Sequence, residues 1–223
     1  DTAKGKARCD YAQFVGAGPD NAEIAASLAD KAAGLKMYLD STFGQLRLDD
    51  MTLWQPHFEK YPKQYPIVTH SESRSMAAAI LFAAIYDRPV HIAHISLKEE
   101  VLLIKAAKQR GIKVTCEVCP HHLFMVSQVS DEERGKTLAP HASAGKKEGR
   151  MEVRPRLTTQ KDVDALWKNL DVIDCFATAT DDETYLILFK FHYNYFWSIR
   201  RNGFARCWNF FFNNSNPLLS FKK

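Results

Sequence analysis

At the C-terminal ends of apolar, β-branched runs the tally of polar side chains is four: Lys36 within Gly34 to Leu39, His70 closing Ile67 to His70, His94 within Val90 to Ile95, and Glu117 within Lys113 to Val118. A polar group in such a run is costly unless it pairs or binds something. Neutral imidazoles are good zinc ligands, and neighbouring parallel strands converge at their ends, so two histidines on successive strands point to a metal centre. The lysine is the odd member, because an ammonium repels a cation. Carboxylated by carbon dioxide, it becomes an anionic oxygen ligand that can bridge two ions. Each residue alone fits a hydrogen-bonded structural role better; only their joint placement puts the metal reading level with it.

The elements that must position these groups follow a repeating pattern. Over residues 1–179, short strand-like runs alternate with stretches of helical period, the signature of βα units. The runs are Cys9 to Val15, Gly34 to Leu39, Ile67 to His70, Val90 to Ile95, Lys113 to Val118 and Val172 to Ala177. Ser96-Leu97-Lys98-Glu99 reads as a capping box opening a helix that Gly111 closes. Thr159 with Asp162 opens another, with Val163, Leu166, Trp167 and Leu170 on one face, and Asn21 to Ala33 is a third. A (β/α)8 barrel takes about 250 residues, so six units take about 190. An open doubly wound sheet would carry a Gly-rich phosphate turn, and Gly16-Ala17-Gly18 lacks its third glycine. The expected fold is α/β, an incomplete (β/α)8 TIM barrel. Six units without closure leave exposed sheet edges, so poor solubility is expected.

Composition sets the outer limits. The chain has 223 residues, 46% hydrophobic and 25% charged, an ordinary globular balance that excludes disorder, collagen and coiled coil. No uncharged stretch, Ser75 to Tyr86 and Val118 to Ser130 included, reaches the roughly 18 to 20 residues of a spanning helix, so no membrane role is expected. Of the +4 net charge, the part from Thr180 onward carries +3, with six Lys/Arg against three acids, so the remainder gives no case for nucleic acid. That same tail holds 13 of the 26 Phe, Tyr and Trp residues. We therefore divide the chain into a barrel-like part, 1–179, with a long surface loop at 127–150, and an aberrant tail, 180–223. The tail reads as intron read-through or a shifted frame rather than an aromatic, basic binding surface. Five thinly spread cysteines fit a reducing, cytoplasmic setting. Asp1 in place of Met, with no apolar leader behind it, suggests a piece of something longer.

The runs GLKMYLDSTF, PIVTHSE, VHIAHIS, KEEVLLIKAAKQRGIKVTCEV, CPHHLF, EVRP and VIDCFA together closely resemble the dihydroorotase domain of the multifunctional animal pyrimidine-synthesis protein, over roughly residues 7 to 178. The resemblance implies an amidohydrolase-superfamily barrel of the metal-dependent hydrolase type, here about strands three to eight. It implies a zinc amidohydrolase that reversibly cyclises N-carbamoyl-L-aspartate to dihydroorotate, with two or more zinc ions in the complete enzyme. By the same resemblance Lys36 is the carboxylated bridging lysine, and His70 and His94 are zinc ligands. Glu117 corresponds to a position linked to an additional zinc, Arg154 to a carboxylate-binding arginine, and Thr42 and Phe43 to the tip of a lid loop. The small-molecule substrate and a multidomain, homo-oligomeric parent are implied likewise.

Departures from the family pattern bear on activity. No H-x-H occurs anywhere in the chain, although the family places that pair on strand one, so the first two strands read as missing. After Cys175-Phe176-Ala177-Thr178 the family continues D-H-A-P-H, whereas this chain reads Ala179-Thr180-Asp181-Asp182-Glu183. The catalytic aspartate position is thus Ala179, and no catalytic residue is confirmed. The expectation is an inactive isolated chain holding at most one zinc, weakly. The alternatives are a non-catalytic amidohydrolase-fold remnant or a related cyclic amidase such as a dihydropyrimidinase or hydantoinase. Arg154 and the Thr42-Phe43 lid favour the dihydroorotase. Cys116 and Cys119 with His121 and His122 raise a zinc-ribbon reading, but no second C-x-x-C completes it. His121 and His122 are assigned to the barrel mouth, His57 and His141 to the surface, and Cys9, Cys175 and Cys207 to buried thiols.

Overall fold

In the third strand run, Ile67, Val68, Thr69 and His70 are all buried, as expected of a parallel strand covered on both faces. Its neighbour alternates instead: Leu35 and Met37 are wholly enclosed, while Lys36 and Tyr38 face a more open side. This period of two separates a helix-covered face from an inner one. The computed structural model describes residues 12–42, 46–127 and 153–177.

The described elements are β1 (Phe14–Gly16), α1 (Ala22–Ser27), β2 (Gly34–Tyr38), α2 (Gln55–Lys60), β3 (Ile67–His70), α3 (Ser73–Ile85), β4 (Val90–Ile92), α4 (Lys98–Gln109), β5 (Val114–Val118), α5 (Pro120–Phe124), α6 (Gln160–Lys168) and β6 (Cys175–Phe176). All strand pairs are parallel, and the spatial order β1-β2-β3-β4-β5-β6 follows the chain. A doubly wound sheet reverses its order at a switch point; this one advances steadily, as a barrel wall does. The helices bury Met76, Ile80, Val101, Ile104 and Leu166 against Leu35, Met37, Ile67, Ile92 and Val114 in one core.

Several boundaries differ from expectation, each for a local reason. Of the run expected over Cys9 to Val15, residues 9–11 lie outside the described residues, and the strand in the remainder is Phe14–Gly16. The helix expected over Asn21 to Ala33 stops at Ser27 and passes into a 3-10 turn, Ala29–Lys31, because Ala33 N–H must reach Gln13 O (2.8 Å) to enter the sheet. β4 ends at Ile92, short of Ile95, since His94 adopts φ 40°. The last strand is only Cys175–Phe176, because Val172 and Ile173 N–H remain bonded to the carbonyls of Asn169 and Leu170. At the start of α4 the capping carboxylate is Glu100, not Glu99. It accepts from Ser96 N (2.8 Å), Leu97 N (3.0 Å) and Ser73 N (3.0 Å), while Glu99 is exposed and takes the Ser73 hydroxyl. The α6 cap is as expected, with Asp162 N–H donating to Thr159 Oγ1 (3.3 Å).

Two positions carry sharp stability predictions. A Cβ at Gly34 would sit 2.6 Å from Pro66 O and 3.2 Å from the Phe14 ring. Gly34→Ala is expected to cost about 1–3 kcal/mol by forcing β1 and β3 apart, read as a lower urea midpoint. Arg88 is fully buried, and its guanidinium donates to the carbonyls of Phe58 (2.8 Å) and Tyr61 (2.7 Å), fastening the end of α2 to the α3–β4 turn. Arg88→Met strands those carbonyls without donors and is expected to cost about 2–4 kcal/mol in the same assay.

Candidate metal centre

The inner face of the sheet lines a cavity of about 350 Å³, bounded by Phe14, Gly16, Lys36, Tyr38, Leu46, Val68, His91 and Glu117. Lys36 lies 5.3 Å from the Tyr38 ring centroid. Burial pushes its ammonium down to about 8, against the pull of the Glu117 and Cys119 charges. His91 was not anticipated. It is buried, and its Nε2–H donates to Glu117 Oε2 (3.0 Å) while Nδ1 accepts from the Thr115 hydroxyl (2.8 Å). Glu117 therefore meets His91 rather than either of the strand-end histidines.

Those two meet each other. His70 Nδ1 lies 2.9 Å from His94 Nε2, with the rings edge to face at 4.6 Å, both at most 6% exposed. The left-handed backbone at His94, unusual for a residue with a Cβ, sends its ring there. It is clamped on both sides by Ala93 N–H to Thr69 O (3.0 Å) and Ile95 N–H to Glu117 O (2.8 Å). Strain held in place by surrounding bonds is a mark of functional sites. His94 is held well below the usual imidazole range by burial first, then by the charges of His70, Lys36 and His122, so its ring is neutral. His94 Nδ1 and His70 Nε2 are buried without a hydrogen-bond partner, the latter 3.5 Å from Glu72 Oε1. Two nitrogens on a tetrahedral zinc stand about 3.3 Å apart. A buried, converging pair at 2.9 Å fits such an ion with little movement.

A second group lies next along the chain. The ligand atoms of Cys119, His121 and His122 are within 4.8 Å of one another, and all three residues are buried. Burial pushes His121 down to about 4 and His122 to about 3. His122 Nε2–H donates to Pro155 O (3.0 Å), tethering α5 to the segment that carries Arg154. Cys116 takes no part. Its thiol faces the opposite side, toward Val172 O (3.6 Å), and burial pushes it up to about 12. His57 is likewise not on the surface: it is 1% exposed, with Nε2–H donating to Gly18 O (2.8 Å). Cys175 is only half-buried.

Arg154 and Thr42 are half-buried. Two residues before Thr42, the Asp40 carboxylate accepts from Glu72 N–H (2.8 Å) and from the Ser75 hydroxyl, fixing the chain after β2 to the start of α3. Phe43, Ala179, Cys9, His141, Cys207, most of the 127–150 loop and the 180–223 tail lie outside the described residues. Among the described residues no helix is long and apolar enough to cross a membrane.

No family model matches the sequence. The chain is 51% identical over 172 residues to the multifunctional protein CAD of Squalus acanthias, covering 77% of this chain and 7% of that protein. It is 43% identical over 177 residues to the multifunctional protein pyr1-3 of Dictyostelium discoideum, again 7% of the relative. A dihydroorotase of Caldicellulosiruptor saccharolyticus is 39% identical over 114 residues, 50% of this chain and 23% of the enzyme. Among solved structures, an inactive dihydroorotase-like domain of the Chaetomium thermophilum CAD-like multifunctional protein superposes with TM-score 0.60 at 27% identity, over 78% of this chain and 45% of that one. An L-hydantoinase from Arthrobacter aurescens shares the fold at TM-score 0.61 and 18% identity, over 76% of this chain and 43% of its own. The chain thus spans a small part of its curated relatives and under half of these solved chains. Over the part that matches, the chain is thus homologous to the multifunctional proteins, resembles the dihydroorotase-like domain of one of them, and has the fold of an incomplete amidohydrolase-type barrel.

Proposed function

We propose that the chain is a dihydroorotase-like zinc amidohydrolase domain whose His70–His94 pair holds at most one zinc ion, weakly, and which as an isolated 223-residue chain does not turn over dihydroorotate. The observation that carries this reading is the 2.9 Å approach of two buried imidazoles at adjacent strand ends. Zinc bound there supplies polarisation of an amide carbonyl and acidification of water. The chain's own residues do the rest. Lys36, with part of its population neutral, is the nucleophile that takes up carbon dioxide; its carbamate oxygens would complete the ligand set. Glu117, oriented by His91, offers a carboxylate across the same cavity. Arg154 is the planar donor suited to a substrate carboxylate of N-carbamoyl-L-aspartate or dihydroorotate. Thr42 and Phe43 would close over it. The large multifunctional relatives support a multidomain parent, and the cysteine usage supports a cytoplasmic setting.

Equilibrium dialysis of Zn²⁺ against the chelator-treated chain and its His70→Asn/His94→Asn variant tests this. One zinc per chain should separate the two, and equal uptake overturns the assignment. Lys36 gives an independent readout. With an ammonium that titrates near 8, about a tenth of the amine is neutral at pH 7. A ¹³C-bicarbonate carbamate resonance should therefore grow between pH 6.5 and 8.5 and vanish in Lys36→Met.

A further inference from the structure

We propose that Cys119, His121 and His122 form a second metal site, for a zinc-class divalent cation, separate from the His70–His94 pair. Their three ligand atoms are mutually within 4.8 Å, and their residues are 0%, 6% and 0% exposed. A tetrahedral ion needs S–N and N–N separations of roughly 3.3–3.6 Å, so side-chain rotations of about an ångström close the set. One thiolate with two imidazoles is the donor set of zinc and cobalt rather than of magnesium or calcium, which take oxygen.

An independent observation is the state of His122. Its Nε2 proton is committed to Pro155 O at 3.0 Å, and its Nδ1 is enclosed with no hydrogen-bond partner. A carbonyl that fixes one ring nitrogen as donor and orients the other as a lone pair is the usual outer support of a metal-bound histidine. Local geometry explains why three ligands can come from four consecutive residues. Cys119 is extended (φ −88°, ψ 145°), and Pro120 starts α5 at once, so His121 and His122 fall on successive helical positions beside the thiol. The rings already stand 4.2 Å apart, edge to face. An ion there would tie the β5–α5 turn, through His122 and Pro155, to the segment bearing Arg154.

The test is Co²⁺ titration of the chelator-treated, full-length chain, followed in the near ultraviolet. A thiolate-to-cobalt charge-transfer band should rise to one equivalent per chain. It should be lost in Cys119→Ala and reduced at least tenfold in apparent affinity in His122→Asn. It should persist in Cys116→Ser, Cys175→Ser and His70→Asn/His94→Asn. The His70–His94 pair carries no sulfur and cannot give this band, so failure here and failure of the proposed zinc pair are separately visible. Absence of the band in the folded wild-type chain overturns the proposal without recourse to any variant, and leaves the cluster as packed rings. A band that survives Cys119→Ala, or that needs Cys175, overturns it equally.

Discussion

Incubated with dihydroorotate and Zn²⁺, the purified chain should release no N-carbamoyl-L-aspartate above the protein-free blank, and Ala179→Asp should not change that. The family pattern uses a carboxylate after the last strand to carry a proton, and a positioned acid–base group is worth about 10²–10⁴-fold. At that place the sequence has Ala179. Asp181 and Asp182 are near in sequence, yet each step along a strand turns the side chain to the other face, and displacement of a reacting group by about an ångström costs on the order of a hundredfold. The H-x-H pair that resemblance assigns to the metal site occurs nowhere in the 223 residues, so restoring one carboxylate leaves the ligand set short. Members of a catalytic unit are strongly non-additive, and a single repair recovers little. Zinc-dependent turnover that disappears in His70→Asn would refute the reading.

Much of this arrangement was legible because parallel strands announce themselves. Lys36, His70, His94 and Glu117 could be picked out as polar residues toward the C-terminal ends of apolar runs, and the consecutive strand order followed from alternating βα units. His91 could not. It lies three residues before His94, and a strand continuing to Ile95 would place the two on opposite faces. The strand instead stops at Ile92, and the left-handed turn at His94 sends that ring to His70 while His91 keeps the cavity face. A backbone inversion of this kind leaves no mark on hydrophobic period. His57 escaped for another reason: its acceptor, Gly18 O, is 39 residues away, and local pattern carries no information about it. The choice between Glu99 and Glu100 rested on which of two adjacent carboxylates faces the core, a one-residue shift at a helix start that capping rules do not resolve.

Acidification should unfold the metal-free chain well before its carboxylates are all protonated. His121 and His122 are held at about 4 and about 3, against about 6.5 for an unfolded histidine. Between pH 6.5 and 4 the unfolded chain therefore binds more protons, and stability falls as pH falls. At pH 5 each withdraws about 2 kcal/mol. His94 and His57, lowered in the same sense mainly by burial, add to the loss. Glu100 works in the opposite sense. Burial raises it to about 7 against its three N–H bonds, so over pH 4.5–7 the folded chain is the better proton binder, and lowering pH to 5 returns about 2 kcal/mol. Lys36, shifted between about 8 and 10.5, changes nothing in this window. The histidines outweigh the single carboxylate, and the net loss from pH 7 to 5 should be about 2 kcal/mol or more. Urea midpoints measured with chelator present at half-unit steps of pH check it. Glu100→Gln should steepen the acid limb and His121→Gln should flatten it. A midpoint that rises on acidification would show that the buried rings take up protons in place, and with that the neutral, ligand-ready state of the pocket would be lost.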